Sequence, residues 1–157
     1  QDHTFTIDLQ ALPAQFLCDV EMTRIALRNL VDNAVKYSPP GARVTIRGGR
    51  VGRLASDAVW LAVSDTGPGL PAAALSQLFD PYFRGPNSAG QPGQGLGLPL
   101  ARQMIEEQGG LLTASALPDR GLTFTLWLPN PLALTAVAPR LADPATMATP
   151  VPELART

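Results

Sequence analysis

The sequence predicts a two-layer α/β (α+β) sandwich, a mixed and mainly antiparallel sheet covered by helices on one face. Three observations carry this. The stretches HTFTIDL, RVTIR, VWLAV, LLTASA and LTFTLWL alternate in hydropathy or run apolar, as strands do. Two longer segments, after Asp19 and after Gly97, repeat apolar residues at helical spacing. Pro118-Asp119-Arg120-Gly121 is a turn sequence that closes the last two strands as a hairpin.

The elements follow in order. His3 to Leu9 is a strand, and Gln15 to Cys18 reads as a short second one. Asp19 is a suitable N-cap, and Glu21 favours the positive end of the helix that follows to Tyr37. Val20, Leu27, Leu30, Val31 and Ala34 form its core-facing stripe. Ser38-Pro39-Pro40-Gly41 stops it. Arg43 to Arg47 is a half-buried strand. Gly48-Gly49 and Gly52 surround a turn or hairpin, and Val59 to Val63 is a central strand. Pro71 to Leu78 is a short helix with proline in its first turn. Phe79 to Gly95 is loose. Leu98 to Gln108 is a helix burying Leu100, Ala101, Met104 and Ile105, stopped by Gly109-Gly110. Leu111 to Ala116 and Leu122 to Leu128 make the closing hairpin. The expected organisation is a domain over residues 1–130 and an Ala/Pro-rich, disordered or loosely attached tail over residues 131–157.

Composition excludes several functions. At 157 residues and 45% hydrophobic content the chain can bury a core, and a net charge of −1 gives no footprint for nucleic acid or an anionic membrane. Cys18, the sole cysteine, rules out an internal disulfide, and His3, the sole histidine, rules out a His/Cys zinc site and a Ser-His-Asp triad with a well-placed base. No apolar run is long enough to span a bilayer, and no signal peptide opens the chain. The start at Gln1 suggests a piece of a longer protein.

Four stretches carry chemistry. On the first helix Asn29, Asn33 and Lys36 stack along one face beside the core stripe. Asn is a poor helix former, so two of them one turn apart suggest a site; a solvated flank is the alternative. Amide oxygens suit a hard cation such as Mg²⁺, and a lysine suits phosphate. After the apolar strand comes DTGPG, Asp65 to Gly69. A carboxylate there needs a donor, and an adenine amino group is one; a plain turn is the alternative. Leu78 to Gly85, LFDPYFRG, sets Phe79, Tyr82 and Phe83 beside a loose loop, with Arg84 fit for a terminal phosphate, or is a surface loop with an apolar foot. Last, GQGLG, Gly93 to Gly97, opens a helix and lets backbone N–H groups close on an anion. It is neither a Walker A loop nor a Rossmann fingerprint.

In that order, N-x-x-x-N-x-x-K-Y, D-x-G-x-G, F-x-x-F-x-R-G and G-x-G-L-G-L resemble the N, G1, F and G2 boxes of the catalytic ATP-binding domain of bacterial two-component sensor histidine kinases. These belong to the GHKL superfamily, with its Bergerat fold. The resemblance covers about His3 to Pro129 and implies a five-stranded sheet with three helices. It implies a catalytic set of Asn29, Asn33 and Lys36. Asn33 would coordinate the Mg²⁺ bridging the ATP phosphates, Asn29 would support it, and Lys36 would contact phosphate. Tyr37 would pack on adenine. Asp65 would accept from the adenine amino group, in a pocket shaped by Gly67 and Gly69. Phe79 and Phe83 would anchor the lid and Arg84 would reach phosphate. Gly93, Gly95 and Gly97 would cradle the phosphates, and the nucleotide-contacting set includes Leu96 and Leu98 of the same motif. Pro99 stands where alanine is usual, and the lid from Gly85 to Gln94 is short and proline-rich.

The family's phosphoacceptor histidine lies on a helical dimerisation domain, and nothing here matches its motif. The resemblance therefore implies a chain that donates the γ-phosphoryl group to that separate domain, with a response regulator downstream. It also implies a cytoplasmic domain of a protein anchored in the bacterial inner membrane. Two rivals stay open. Hydrolytic GHKL ATPases carry a glutamate where this chain has Asn29, and an amide cannot take the proton from water. A domain that senses nucleotide without catalysis would keep the same boxes. An anti-sigma-type serine kinase shares the fold, but K-Y-S-P and LFDPYFRG favour the histidine kinase.

Overall fold

The computed structural model describes residues 2–51, 58–88, 90, 93–116 and 121–129. Five strands form one sheet in the order β1-β2-β3-β5-β4. They are β1 (Thr4–Ala11), β2 (Arg43–Val51), β3 (Ala58–Asp65), β4 (Leu111–Ala116) and β5 (Leu122–Pro129). β1 pairs with β2 in parallel, from Thr4↔Arg43 to Ala11↔Gly49. The other three pairings are antiparallel. Helices α1 (Val20–Tyr37), α2 (Ala72–Leu75) and α3 (Gly97–Glu106) complete the described elements, with a 3-10 turn at Pro86–Ser88.

The core lies between the sheet and the pair α1 and α3. Val44, Val59, Leu61, Val63, Phe124, Leu126 and Leu128 face Ala26, Leu30, Ala34, Ala101 and Ile105. Asp19 caps α1 as expected, accepting from the Met22 N–H at 2.9 Å. Two contacts hold α1 and α3 antiparallel. At one end the Gln108 side-chain oxygen accepts from the Asp19 N–H at 2.8 Å, while its amide donates to Met104 O at 3.0 Å. At the other end Asn29 Oδ1 lies against Gly97, where a Cβ would come within 3.0 Å of it.

Several expectations are corrected. Gln15 to Cys18 forms no strand. Leu12 lies over Gly48 and Leu61 on the helical side of the sheet, so the connection crosses that face instead of joining an edge. Val20 is 61% exposed, because Thr23, Ala26, Leu30 and Ala34 take the core side of α1. On α3, Leu98, Ala101 and Ile105 are buried while Leu100 turns outward. The helix after Pro71 is one turn long. Gly48 and Gly49 lie within β2, which runs through them to Val51, and the hairpin expected around them forms, since Val51 pairs with Ala58 of the antiparallel β3. A Cβ on Gly48 would meet Leu12 and Leu61 at 2.8 Å, and one on Gly49 would meet the Trp60 ring at 2.8 Å, so these glycines make room for large neighbours. The expected tail, Gly52 and most of the closing turn lie outside the described residues.

Candidate nucleotide site

A cavity of about 390 Å³ opens between α1, the end of β3 and the segment leading into α3. Asn29, Asn33, Lys36 and Tyr37 line it from α1, and Asp65 and Gly69 from the strand end. Gly93, Gly95, Leu96, Gly97 and Leu98 close it from the start of α3, and Phe83 from the loop before. These twelve residues, far apart in sequence from Asn29 to Leu98, were expected from their motifs and share one cavity.

Asp65 is buried at 6% exposure at the closed end. Its Oδ1 accepts from the Gly67 N–H at 2.8 Å. Burial pushes its carboxyl above the ordinary carboxylate value; the N–H groups of Gly67 and Leu122 and the Ser38 hydroxyl pull the other way. The Ser38 Oγ is itself buried without a well-formed hydrogen bond. Close backbone packing holds the carboxylate there. A Cβ on Gly67 would meet Asp65 Oδ1 at 2.7 Å, and one on Gly121, whose φ is +99°, would collide with the Asp65 carbonyl oxygen. Gly67 thus supports the wall from behind and does not line it.

The open end is polar. Asn29 donates from Nδ2 to Ile25 O at 3.0 Å, which leaves its Oδ1 toward the start of α3 at Gly97. Asn33 makes no side-chain hydrogen bond among the described residues, so its amide is available to a ligand. The Lys36 ammonium lies over the Tyr37 ring at 4.8 Å, and a Cβ on Gly93 would come within 2.9 Å of it. No group of three or more His, Cys, Asp or Glu side chains gathers among the described residues. The donor set therefore suits a cation that keeps most of its own water and takes one or two amide oxygens, as Mg²⁺ does.

Two expected residues stand elsewhere. Phe79 packs edge-on against the core Phe124 at 6.4 Å, with the Arg102 guanidinium 5.4 Å over its ring, so it anchors the loop and does not touch the cavity. Arg84 Nη2 donates to Ser88 O at 2.8 Å, within the loop's own turn. The loop is pinched at its neck, where Tyr82, at φ +65°, donates its N–H to Gly95 O at 3.1 Å. Tyr82, Leu96 and Leu100 are exposed apolar side chains around that neck. Asp32, Pro68, Leu78, Gly85 and Gln94, which lie inside the motifs but were given no role, and Leu70, Ser88 and Leu122, which lie outside them, also line the cavity. Asp32 was within reach of the sequence, since it falls three residues after Asn29 and four before Lys36. Leu122 was not, because only the β3–β5 pairing brings it beside Asp65.

Residues 18–132 match the family described as histidine kinase-, DNA gyrase B-, and HSP90-like ATPase. The chain belongs to that ATPase family. Among its relatives, the adaptive-response sensory kinase SasA of Rippkaea orientalis is 34% identical over 120 residues, which is 76% of this chain and 30% of that protein. The signal transduction histidine-protein kinase/phosphatase MprB of Mycobacterium leprae is 35% identical over 141 residues, 87% of this chain and 26% of that one. The solved mycobacterial sensor histidine kinase MprB superposes with a TM-score of 0.72 at 31% identity, covering 82% of this chain and 84% of that one. The catalytic domain of histidine kinase ThkA, at 22% identity and a TM-score of 0.67, shares the fold. This is a histidine-kinase-type ATPase domain, homologous to those sensor kinases, and it spans about 30% of the length of the first of these relatives. No helix among its described residues is long and apolar enough to cross a membrane.

Proposed function

We propose that this domain binds Mg-ATP in the α1–α3 cavity and donates the γ-phosphoryl group to a histidine on a dimerisation domain outside this chain, from which a response regulator receives it. The observation that supports this is the polarity of the cavity. A buried acceptor, Asp65, sits at the closed end, and the amides, lysine and glycine-rich segment sit at the open end. Asp65 would accept from the adenine amino group, with Gly67 and Gly69 holding that wall and Tyr37 packing on the base. Asn33, supported by Asn29, would hold Mg²⁺, which supplies charge neutralisation at the phosphates. Lys36 and the backbone of Gly93, Gly95 and Gly97 would hold the phosphates, with Leu96 and Leu98 closing the cradle. Phe79 and Phe83 would keep the lid's foot in place, and Arg84 would reach phosphate only after leaving Ser88. In the transfer, the bond from the γ-phosphorus to the bridging oxygen breaks, its electron pair stays on ADP, and an imidazole nitrogen bonds to phosphorus.

The acceptor lies elsewhere, because both ring nitrogens of His3 are buried. A partner histidine would approach at the loop neck, where Tyr82, Leu96 and Leu100 are exposed. Hydrolysis is disfavoured by the amide of Asn29 at the position where a hydrolytic relative would have its base. We place the domain in the cytoplasm, as part of a protein anchored in the inner membrane, by its likeness to sensor kinases of this layout. The test is ATP labelled in its γ-phosphate. The chain alone should bind it with Mg²⁺ and retain no covalent label. Acid-labile phosphohistidine at His3, or rapid release of labelled phosphate, would overturn the reading.

A further inference from the structure

Trp60 and Trp127 stand opposite one another on the neighbouring strands β3 and β5, on the side of the sheet turned away from the core. Their ring centroids are 6.4 Å apart, and the Trp60 ring lies across Gly49, where a Cβ would meet it at 2.8 Å. The strand register puts Val51, Leu111 and Pro129 on the same face beside them. The helices give no cover there, because α1, α2 and α3 direct Leu30, Leu75 and Ile105 into the core on the opposite side. Both indoles are half-buried, Val51 is exposed, and neither indole N–H makes a hydrogen bond among the described residues. Two adjacent tryptophans on an open sheet face make an apolar patch with two spare donors, which suits a docked segment of chain.

We propose that the chain's own residues 131–139, PLALTAVAP, strap across the Trp60–Trp127 pair. The inference does not depend on the nucleotide reading of the cavity. Where the chain leaves the sheet chooses the occupant. Pro129 ends β5 two residues past Trp127 on the same face, and Asn130-Pro131 is a dipeptide that turns a chain back. Trp127 then lies about 7 Å back along β5 and Trp60 about 5 Å to its side. Nine extended residues reach roughly 30 Å, so the segment spans both rings with length to spare. Composition agrees. The segment carries Leu132, Leu134 and Val137 and no charged residue, and charges return only at Arg140. The family match stops at residue 132, so most of the strap lies beyond the shared fold, as the tryptophan pair requires of a cover peculiar to this chain. A segment tethered by so short a turn meets the patch at an effective concentration on the order of millimolar, which a second copy in dilute solution does not match. Its backbone carbonyls would accept from the two indole N–H groups.

The chain has two tryptophans and both are in the patch, so its intrinsic fluorescence reports this surface alone. The experiment compares the full chain with its double variant Leu132→Asp, Leu134→Asp and with Leu154→Asp, by emission maximum and acrylamide quenching. All three substitutions follow the last strand, and circular dichroism checks that the sheet is kept. The double variant should emit at longer wavelength and be quenched about two-fold more strongly, as water replaces apolar side chains over the indoles. Leu154→Asp should match the wild type. Emission and quenching unchanged in the double variant overturn the strap. A wild-type emission that moves to shorter wavelength as the protein is concentrated also overturns it and assigns the cover to a second copy. A shift produced by Leu154→Asp and not by the double variant overturns it in favour of a later segment.

Discussion

Replacing Asp65 by Asn tests base recognition at its most buried point. The carboxylate has two acceptor oxygens. Oδ1 serves the Gly67 N–H at 2.8 Å, and the Leu122 N–H also approaches the group. The second oxygen is what remains for an adenine amino group. Asn offers a single oxygen, so it can keep the Gly67 N–H or turn toward the base, and its NH₂ faces a donor either way. A hydrogen bond to a charged acceptor contributes about 1.5–3 kcal/mol, so ATP should bind about ten- to a hundred-fold more weakly. Guanine carries a carbonyl where adenine carries the amino group, so the gap between ATP and GTP should narrow. The assay is a titration of both proteins with both nucleotides in Mg²⁺. Wild-type affinity for ATP in the variant, with GTP still rejected, would refute the argument and leave Asp65 as a turn residue.

Three further outcomes follow from the same geometry. Asp65 has its folded pKa raised above the ordinary 3.8 by burial, so its stabilising contribution is full below that unfolded value and is lost as pH rises through the folded one. Relative to Asp65→Asn, the wild-type apo domain should therefore gain stability on acidification, and chemical denaturation across the acid range showing a constant difference would contradict this. Asn33→Ala should abolish most Mg-dependent ATP binding while leaving the circular dichroism spectrum intact, because the residue lines the cavity and Ala is the better helix former; unchanged Mg-dependent affinity would count against a metal role. Gly121→Ala places a Cβ against the Asp65 carbonyl at a positive φ, which costs roughly 1–3 kcal/mol in backbone strain before the clash is counted. It should lower thermal stability and ATP affinity together, and a variant as stable as wild type would show that this crossing is looser than described.

Much of the site is written in local sequence. The Asn29, Asn33 and Lys36 face follows from helical periodicity, and the glycine positions from the chemistry of a helix N-terminus. The strands that sandwich Asp65 follow from hydropathy. What the chain did not disclose depends on tertiary placement. Gly48 and Gly49 announce the hairpin that follows, but that they sit inside β2 is set by Leu12, which packs over Gly48 on one face, and by Trp60, which packs over Gly49 on the other. Arg84 and Phe79 belong to a motif, yet their contacts with Ser88, Phe124 and Arg102 are set by how the loop packs. Gln108 looked like the last residue of a helix, and only the antiparallel pairing of α1 and α3 gives it Asp19 to bind.

The central claim is that ATP occupies the cavity with its base toward Asp65 and its phosphates toward Asn33 and the start of α3. Amide chemical-shift mapping of the isotopically labelled chain, titrated with Mg²⁺ and a non-hydrolysable ATP analogue, tests it most directly. The account predicts saturable shifts confined to Gly67, Gly69 and Leu122 at one end and Asn29, Asn33, Lys36 and Gly93 to Gly97 at the other, with adenosine alone moving only the first group. Shifts centred elsewhere, or adenosine moving the α1 amides and sparing Gly67 and Gly69, would contradict it.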